Sequence, residues 1–305
     1  MEVTVVGAGV IGLSTALACE EQGHTVRIVA AAARDQITSW VAGAVWFPYR
    51  TGPAHKVANW SARTRGWLEN LARTTPDAGV DILTGYEITP DNSPPWWRDA
   101  CPIEWVNAPV IGNPGCWTFV APRCEPALFV PWLERKLRVK IEHRVVTDLA
   151  NEPGDVVINC TGLGARALCR DDEVQPIQGQ ILICAPGGVD LATTITDDRD
   201  PDQIFYVIPR RDELVVGGIA RAWPTTELPP VDNAITERIL RQAAALGIAI
   251  GEVRRIHTGL RPYRSAVRLE RDPDNPRIIH NYGHGGAGFT MCRGCAEDVV
   301  GLLRA

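Results

Sequence analysis

Val3-Thr4-Val5-Val6-Gly7-Ala8-Gly9-Val10-Ile11-Gly12 is a short apolar run that breaks at glycines, and Leu13 to Glu21 continues it in good helix formers. The order it predicts is strand, tight turn, helix. Gly7 permits the turn and Gly9 lets the backbone come close to a pyrophosphate. Gly12 lets the helix lie close on its strand, with the helix's first amides turned toward the negative charge. Ala8, Val10 and Ile11 complete the cradle. Such a triplet recurs by chance in glycine-rich loops. What makes this one a dinucleotide site is its place between a strand and a helix at the head of the sequence.

The 305 residues suffice for a large core, as one large domain or two. Hydrophobic residues at 45% and charged residues at 22% are the proportions of a soluble globular protein. No apolar run reaches the roughly 18 to 20 residues of a membrane helix, and no basic region precedes the first strand, so the chain is expected to be intracellular. With a net charge of -5 and basic residues scattered among acids, the chain has no electrostatic footprint for nucleic acid or an anionic membrane. Lysine occurs only as Lys56, Lys136 and Lys140. The dominance of arginine reflects genome composition or, at individual positions, bidentate anion binding. Of the nine cysteines only Cys292 and Cys295 lie close together, and no histidine cluster joins them. That spacing excludes a metal site and leaves buried thiols, with a redox pair or local disulfide as the alternative.

Thr25 to Val29 reads as a second strand. Dinucleotide folds commonly carry an acid after it for the ribose hydroxyls, but here Ala30 to Ala33 follow, then Arg34 and Asp35. Asp35 stands a little late, and Arg34 could equally face the nucleotide. Thr38 to Tyr49 places hydroxyls before small residues and aromatics, as a loop meeting a phosphate and then a flat ring would, or as a loop anchored in the core by Trp40 and Trp46. Arg50 to about Cys124 turns rich in Trp, Pro and polar residues and reads as part of an inserted second domain, with a helix near Val57 to Thr74.

A helix over Glu125 to Leu137 and strand patterning from Val139 to Val146 come next. Val156 to Asn159 is an apolar strand, and Thr161 and Gly162 sit at its carboxyl end, where open parallel sheets hold ligands. Gln180 to Cys184 opens a strand-rich section, Phe205 to Pro209 with Leu214 to Ile219 reads as a hairpin, and a helix runs from an Asn233 cap to Gly247. Gly259 to Glu270 carries Arg261, Arg264 and Arg268; Arg264, Ala266 and Arg268 share one side of an extended segment, either as a solvated face or as a carboxylate fork. The last strand, Ile278 to Tyr282, runs into Gly283-His284-Gly285-Gly286-Ala287-Gly288-Phe289-Thr290 and a final helix. A second glycine-rich turn at the other end of the chain calls for a long cofactor, and a flavin dinucleotide is long enough.

With these motifs in this order over essentially the whole length, the sequence resembles the D-amino-acid oxidase family, which includes D-aspartate oxidase. The resemblance rests on Gly7 to Gly12, Ala42 to Tyr49, Asn159 to Gly162, Tyr206 to Pro209, Gly259 to Glu270 and His280 to Thr290. It implies an α/β fold: a discontinuous Rossmann-like FAD-binding domain over residues 1–50, 138–180 and 271–305, and a substrate domain on a mixed or antiparallel sheet over 51–137 and 181–270, with the flavin between them. It implies FAD as cofactor, contacted by Gly7, Ala8, Gly9, Val10, Ile11, Gly12, Arg34, Thr38, Ser39, Gly43, Ala44, Trp46, Thr161, Gly162, Arg268, Gly283, Gly285, Gly286, Gly288, Phe289 and Thr290.

For the substrate it implies Arg268 gripping the carboxylate, the Tyr206 hydroxyl supporting that grip and the Gly286 carbonyl meeting the amine. The implied reaction moves the Cα hydrogen to flavin N5 and gives a 2-oxo acid, ammonia and hydrogen peroxide from a small D-amino acid and O2, with alignment rather than an acid–base pair carrying the rate. A homodimer is compatible with it. The expected substrates are neutral D-amino acids; a D-aspartate or D-glutamate oxidase would need a further base, for which Arg50, Arg210, Arg211 and Arg221 are candidates. Glycine or sarcosine oxidation and a dinucleotide-binding sensor without turnover are the other readings. The sequence departs from the family pattern at Asp202, where vertebrate members carry a mobile tyrosine, at Arg293, where a tryptophan is usual, and in ending without a Ser-Lys-Leu-type peroxisomal address, so the expected location is the cytoplasm.

Overall fold

A computed structural model describes residues 1–107, 115–200 and 203–304, so Asp202 lies outside the described residues. Its first half comprises β1 (Glu2–Val6), α1 (Val10–Glu21), β2 (Thr25–Ala30), α2 (Thr38–Val41), α3 (Ala54–Thr74), β3 (Val80–Ile88), β4 (Ile103–Asn107), β5 (Gly115–Cys124), α4 (Pro126–Lys136), β6 (Ile141–His143) and β7 (Val156–Asn159). There follow α5 (Ala165–Leu168), β8 (Gln175–Cys184), β9 (Thr193–Asp197), β10 (Phe205–Pro209), β11 (Leu214–Gly217), β12 (Arg221–Ala222), α6 (Asn233–Ala245), β13 (Val253–Arg271), β14 (Ile278–His284) and α7 (Gly288–Arg304). The chain divides into two compact units, Met1–Val80 with Cys124–Gln175 and Arg261–Ala305, and Asp81–Arg123 with Pro176–Leu260.

In the first unit β1 pairs in parallel with both β2 and β7, β6 extends the sheet beyond β2, and β14 extends it beyond β7. β1 is buried from Val3 to Val6 and β7 along its whole length, as expected of parallel strands covered on both faces. α7 packs on both α1 and α3. Its approach to α3 depends on Gly294, where a Cβ would stand 2.3 Å from the Trp60 carbonyl oxygen. The Gly294 amide donates to Thr64 Oγ1 at 2.9 Å, and Trp60 Nε1 donates to Asp298 at 2.6 Å. These contacts bring residues 51–80, and likewise α4 with residues 124–137, into the first unit, whereas the sequence grouped both stretches with the substrate-binding part.

Arg293 pairs with Glu21 and Glu297 and lies over the Trp67 ring, so it serves the helix surface. All nine cysteines are free, which removes the local-disulfide alternative. Burial pushes the Cys19 thiol up to about 12 and the Cys292 thiol up to about 11, so both stay protonated and inert.

In the second unit the strands run β4-β5-β3-β9-β10-β11-β8, with β12 beside β8. β3 and β9 are parallel, and β9, β10, β11 and β8 pair antiparallel in sequence. Phe205, Val207, Leu214 and Val216 form its core with Ile235, Ile239 and Ala243 of α6. The helix cap is Asp232, whose carboxylate accepts from the Ala234 amide at 2.9 Å; Asn233, expected as the cap, is the first helical residue. The hairpin of β10 and β11 forms as expected, with Tyr206 opposite Gly217.

Candidate active site

The opening turn is built on close backbone contact. Gly7 has φ +113°, and a Cβ there would stand 2.3 Å from the Cys160 carbonyl oxygen; a Cβ on Gly12 would stand 1.9 Å from the Gly7 oxygen. Only glycine passes at either point. Gly9 differs: a Cβ there would meet only Ser39 Oγ, at 3.3 Å, so the space beside it is open. Gly9 caps α1 without any side-chain bond of its own, and the first i→i−4 bond is Leu13 to Gly9. The amides of Val10, Ile11 and Gly12 therefore precede the helical ladder, and only that of Val10 is given a side-chain acceptor, Ser39 Oγ at 3.0 Å. Uncapped amides, an open glycine and a hydroxyl at one helix start fit a pyrophosphate.

Further groups surround this turn. Gly288, which opens α7, places its α-carbon so that a Cβ would touch Val10 Cγ1 at 3.5 Å. Gly162 has φ +58° and faces Pro262. Thr161 gives its hydroxyl to Asn159 Oδ1 at 2.7 Å. The Gly285 amide donates to the Pro262 carbonyl at 2.8 Å, which ties the second glycine turn to β13. Thr38 opens α2 one residue before Ser39, and Gly43 and Ala44 lie just beyond it. The structure thus gathers Gly7 to Gly12, Ser39, Thr161, Gly162, Gly285 and Gly288 in one part of the first unit.

Four residues expected at the cofactor are buried, and their side chains or α-carbons meet other parts of the protein. Trp46 is 0% exposed and donates Nε1 to the Ser61 carbonyl, so no atom of it is open to a ligand. Thr290 gives its hydroxyl to the Phe47 carbonyl at 2.9 Å and accepts the Phe47 amide at 3.1 Å. Phe289 is buried against Phe129. Gly283, with φ +88°, is a glycine because Arg264 Cβ would be 2.7 Å from a Cβ there. His284, beside it, is buried, and burial pulls its imidazole down to about 3, so it stays neutral.

The arginine run is reassigned. Between Tyr263, opposite His284, and Arg268, opposite Tyr282, the register of β13 shifts, so Arg264, Ala266 and Arg268 do not simply alternate along one side. Arg268 donates to Glu270 and Tyr282, both at 2.9 Å, and lies 3.7 Å from Asp272. Arg264 is committed to Asp171 at 3.1 Å, to Glu173 at 3.2 Å and to the Ala266 carbonyl at 2.8 Å. Tyr282 also donates to Asp171 at 2.8 Å, closing one network.

Hydrogen bonds from Tyr282 and the charge of Arg264 hold the Asp171 carboxyl below its ordinary value despite burial. Arg268, expected to grip the carboxylate, is thus tied into this network by its own partners. Arg261, which the sequence reading passed over, is the arginine at the glycine turn: a Cβ on exposed Gly286 would stand 3.4 Å from Arg261 Cδ, 3.6 Å from its Nε and 3.0 Å from Tyr49 Cδ1. In the second unit the Tyr206 ring lies against Gly217 and Gly218, where a Cβ would come within 2.5 Å and 2.8 Å of it.

The sequence profile of the FAD dependent oxidoreductase family DAO matches residues 2–302. The chain belongs to that family. It is 40% identical to a D-amino-acid oxidase of Rubrobacter xylanophilus over 321 aligned residues, 99% of this chain and 95% of that protein. It is 38% identical to a D-amino-acid oxidase of Streptomyces coelicolor, over 99% of this chain and 96% of the other. The fold is similar to that of a glycine oxidase from Bacillus cereus, with TM-score 0.80 at 18% identity over 99% of this chain and 94% of that one. The DAO fold, an oxidoreductase activity and FAD as cofactor follow from family membership and from the fit of the glycine cradle. No helix among the described residues is long and apolar enough to cross a membrane.

Proposed function

We propose that the chain oxidatively deaminates neutral D-amino acids, taking up O2 and water and releasing a 2-oxo acid, ammonia and hydrogen peroxide. The observation that carries the reading is Arg261 against exposed Gly286 at the end of β14. A guanidinium beside an exposed glycine offers the two polar ends of an amino acid what they need, a bidentate donor and, in the glycine's carbonyl, an N–H acceptor. The likeness to two D-amino-acid oxidases supports it.

When bound, FAD supplies the two-electron acceptor and passes the electrons on to O2. The chain's own residues hold and aim the substrate. Arg261 fixes the carboxylate and the Gly286 carbonyl accepts from the amine, which leaves the Cα hydrogen of only one enantiomer pointing at the acceptor. Tyr206 keeps the role the family resemblance gives it, a hydroxyl on the carboxylate. Rate then comes from alignment. A cytoplasmic location and a homodimer belong to the same reading, checked by cell fractionation and light scattering.

A second reading, oxidation of acidic D-amino acids, rests on Arg50, whose guanidinium carbon lies 5.5 Å from the centre of the Tyr49 ring that abuts Gly286. Arg210 pairs with Glu213, Arg211 with Asp81 and Arg221 with Gln178. The visible spectrum of the purified protein under anaerobic D-alanine, L-alanine and D-aspartate separates these readings. Bleaching by D-alanine alone is expected, and bleaching by D-aspartate alone replaces the first reading by the second.

A further inference from the structure

We infer that Glu134, near the end of α4, takes the place of the acid missing after β2 and holds the adenosine ribose of FAD. The inference rests on FAD being the cofactor and goes beyond it in assigning the nucleoside end to residues outside the glycine motifs.

In dinucleotide folds a carboxylate at the end of the second strand accepts from the ribose hydroxyls, and the nucleoside lies along that strand end, beyond the pyrophosphate. Here β2 ends at Ala30 and is followed by Ala31, Ala32 and Ala33, none of which can accept a side-chain hydrogen bond. The structure places a cleft at this spot. Its walls include Ala8 from the glycine turn, Ala32 and Arg34 from beyond β2, Glu134 from α4, and Ile141 and His143 from β6. β6 lies directly beside β2, with His143 opposite Ala30. The cleft therefore starts at the pyrophosphate cradle and follows the end of β2, the path a nucleoside must take.

Glu134 supplies the carboxylate of that wall. Arg34 grips it as a fork: Nε donates to Oε1 at 3.0 Å and Nη2 donates to Oε2. The fork uses one lone pair on each oxygen and leaves another on each for the two ribose hydroxyls. It also holds the carboxylate in place before the nucleotide arrives, which reduces the ordering cost of binding. The same pair argues against a phosphorylated ribose, because Glu134 neutralises Arg34 and would stand against the phosphate charge. The cleft thus suits an unphosphorylated ribose, which FAD carries.

The test uses apo-protein titrated with FAD and with the FAD analogue carrying 2'-deoxyadenosine, followed by quenching of flavin fluorescence. The wild type is expected to bind FAD about tenfold or more tightly than the deoxy analogue, the worth of one hydrogen bond to a charged acceptor. Glu134→Ala should weaken FAD and bind both ligands alike. Adding Ala31→Asp to it should restore the preference. Arg34→Met breaks the same ion pair but keeps the carboxylate, so it should retain the preference and so control for loss of the pair itself. A wild type that binds both ligands equally overturns the inference without any variant, as does a Glu134→Ala protein that discriminates like the wild type. A wild type that binds no FAD overturns the cofactor assignment first, and this inference with it.

Discussion

Arg261 passes alongside Gly286 so closely that a Cβ on the glycine would stand 3.4 Å from Arg261 Cδ. Under the proposed function one residue would supply the charge for a carboxylate and the other, an exposed glycine just beyond β14, a backbone carbonyl for the amine. Arg261→Ala should lower kcat/KM for D-alanine by on the order of a hundredfold, the worth of a charge-assisted bidentate pair. Arg261→Lys should recover little of it, since an ammonium cannot reproduce the fork. Steady-state kinetics of both variants check this.

Arg268→Met should behave in the opposite way. Its partners are Glu270, Tyr282 and Asp272, so the variant is expected to keep its turnover efficiency within about threefold and to lose about 2 kcal/mol of stability. Urea unfolding beside kinetics separates the two effects.

Gly9→Ala should leave the fold intact, because a Cβ there meets only Ser39 Oγ at 3.3 Å, but it intrudes where the pyrophosphate must come. Flavin affinity should fall by on the order of tenfold with an unchanged circular dichroism spectrum. Gly12→Ala, with a Cβ 1.9 Å from the Gly7 oxygen, should fail to give folded protein.

Gly217→Ala tests Tyr206. The new methyl would stand 2.5 Å from Tyr206 Cζ and displace the ring, so KM for D-alanine should rise by about tenfold while flavin content stays normal. An unchanged KM would remove Tyr206 from substrate binding.

Glu87 gives a pH signature in the second unit. Burial, and then the charge of Asp198, push its carboxyl up to about 8, against an ordinary 4.5. As pH rises between these values the unfolded chain has released a proton that the folded chain keeps. The folded state therefore loses stability over that window, completely so above about 8. Glu87→Gln should match the wild-type unfolding free energy near pH 4 and exceed it near pH 9 by about 5 kcal/mol in order of magnitude, read from urea unfolding at the two pH values.

The opening strand, turn and helix were legible in the sequence because glycine spacing encodes backbone contact directly, and the same holds for the turn at Gly285 to Gly288. The partners of the arginine run were not legible, for a physical reason. Alternation along a strand presumes an unbroken ladder, and the shift between Tyr263 and Arg268 interrupts it. Trp46 and Thr290 sit in motifs shared with flavin contacts, and only burial and bonding reveal their roles within the protein. Glu134 carries no signal at all in the sequence, since its relation to Arg34 is made by packing of distant segments. The hairpin and α6 were readable from local pattern, the cap displaced by one residue.

The Thr290 hydroxyl, shared between the amide and carbonyl of Phe47, fastens the beginning of α7 to a segment synthesised 243 residues earlier. β14, likewise late in the chain, is the strand that joins β7. A nascent chain halfway through translation thus has the first glycine turn but not the second, nor the fastening that brings them together. Cofactor loading must wait for nearly the whole polypeptide to emerge, and truncation of α7 would cost the cell the holoenzyme rather than leave a shortened one.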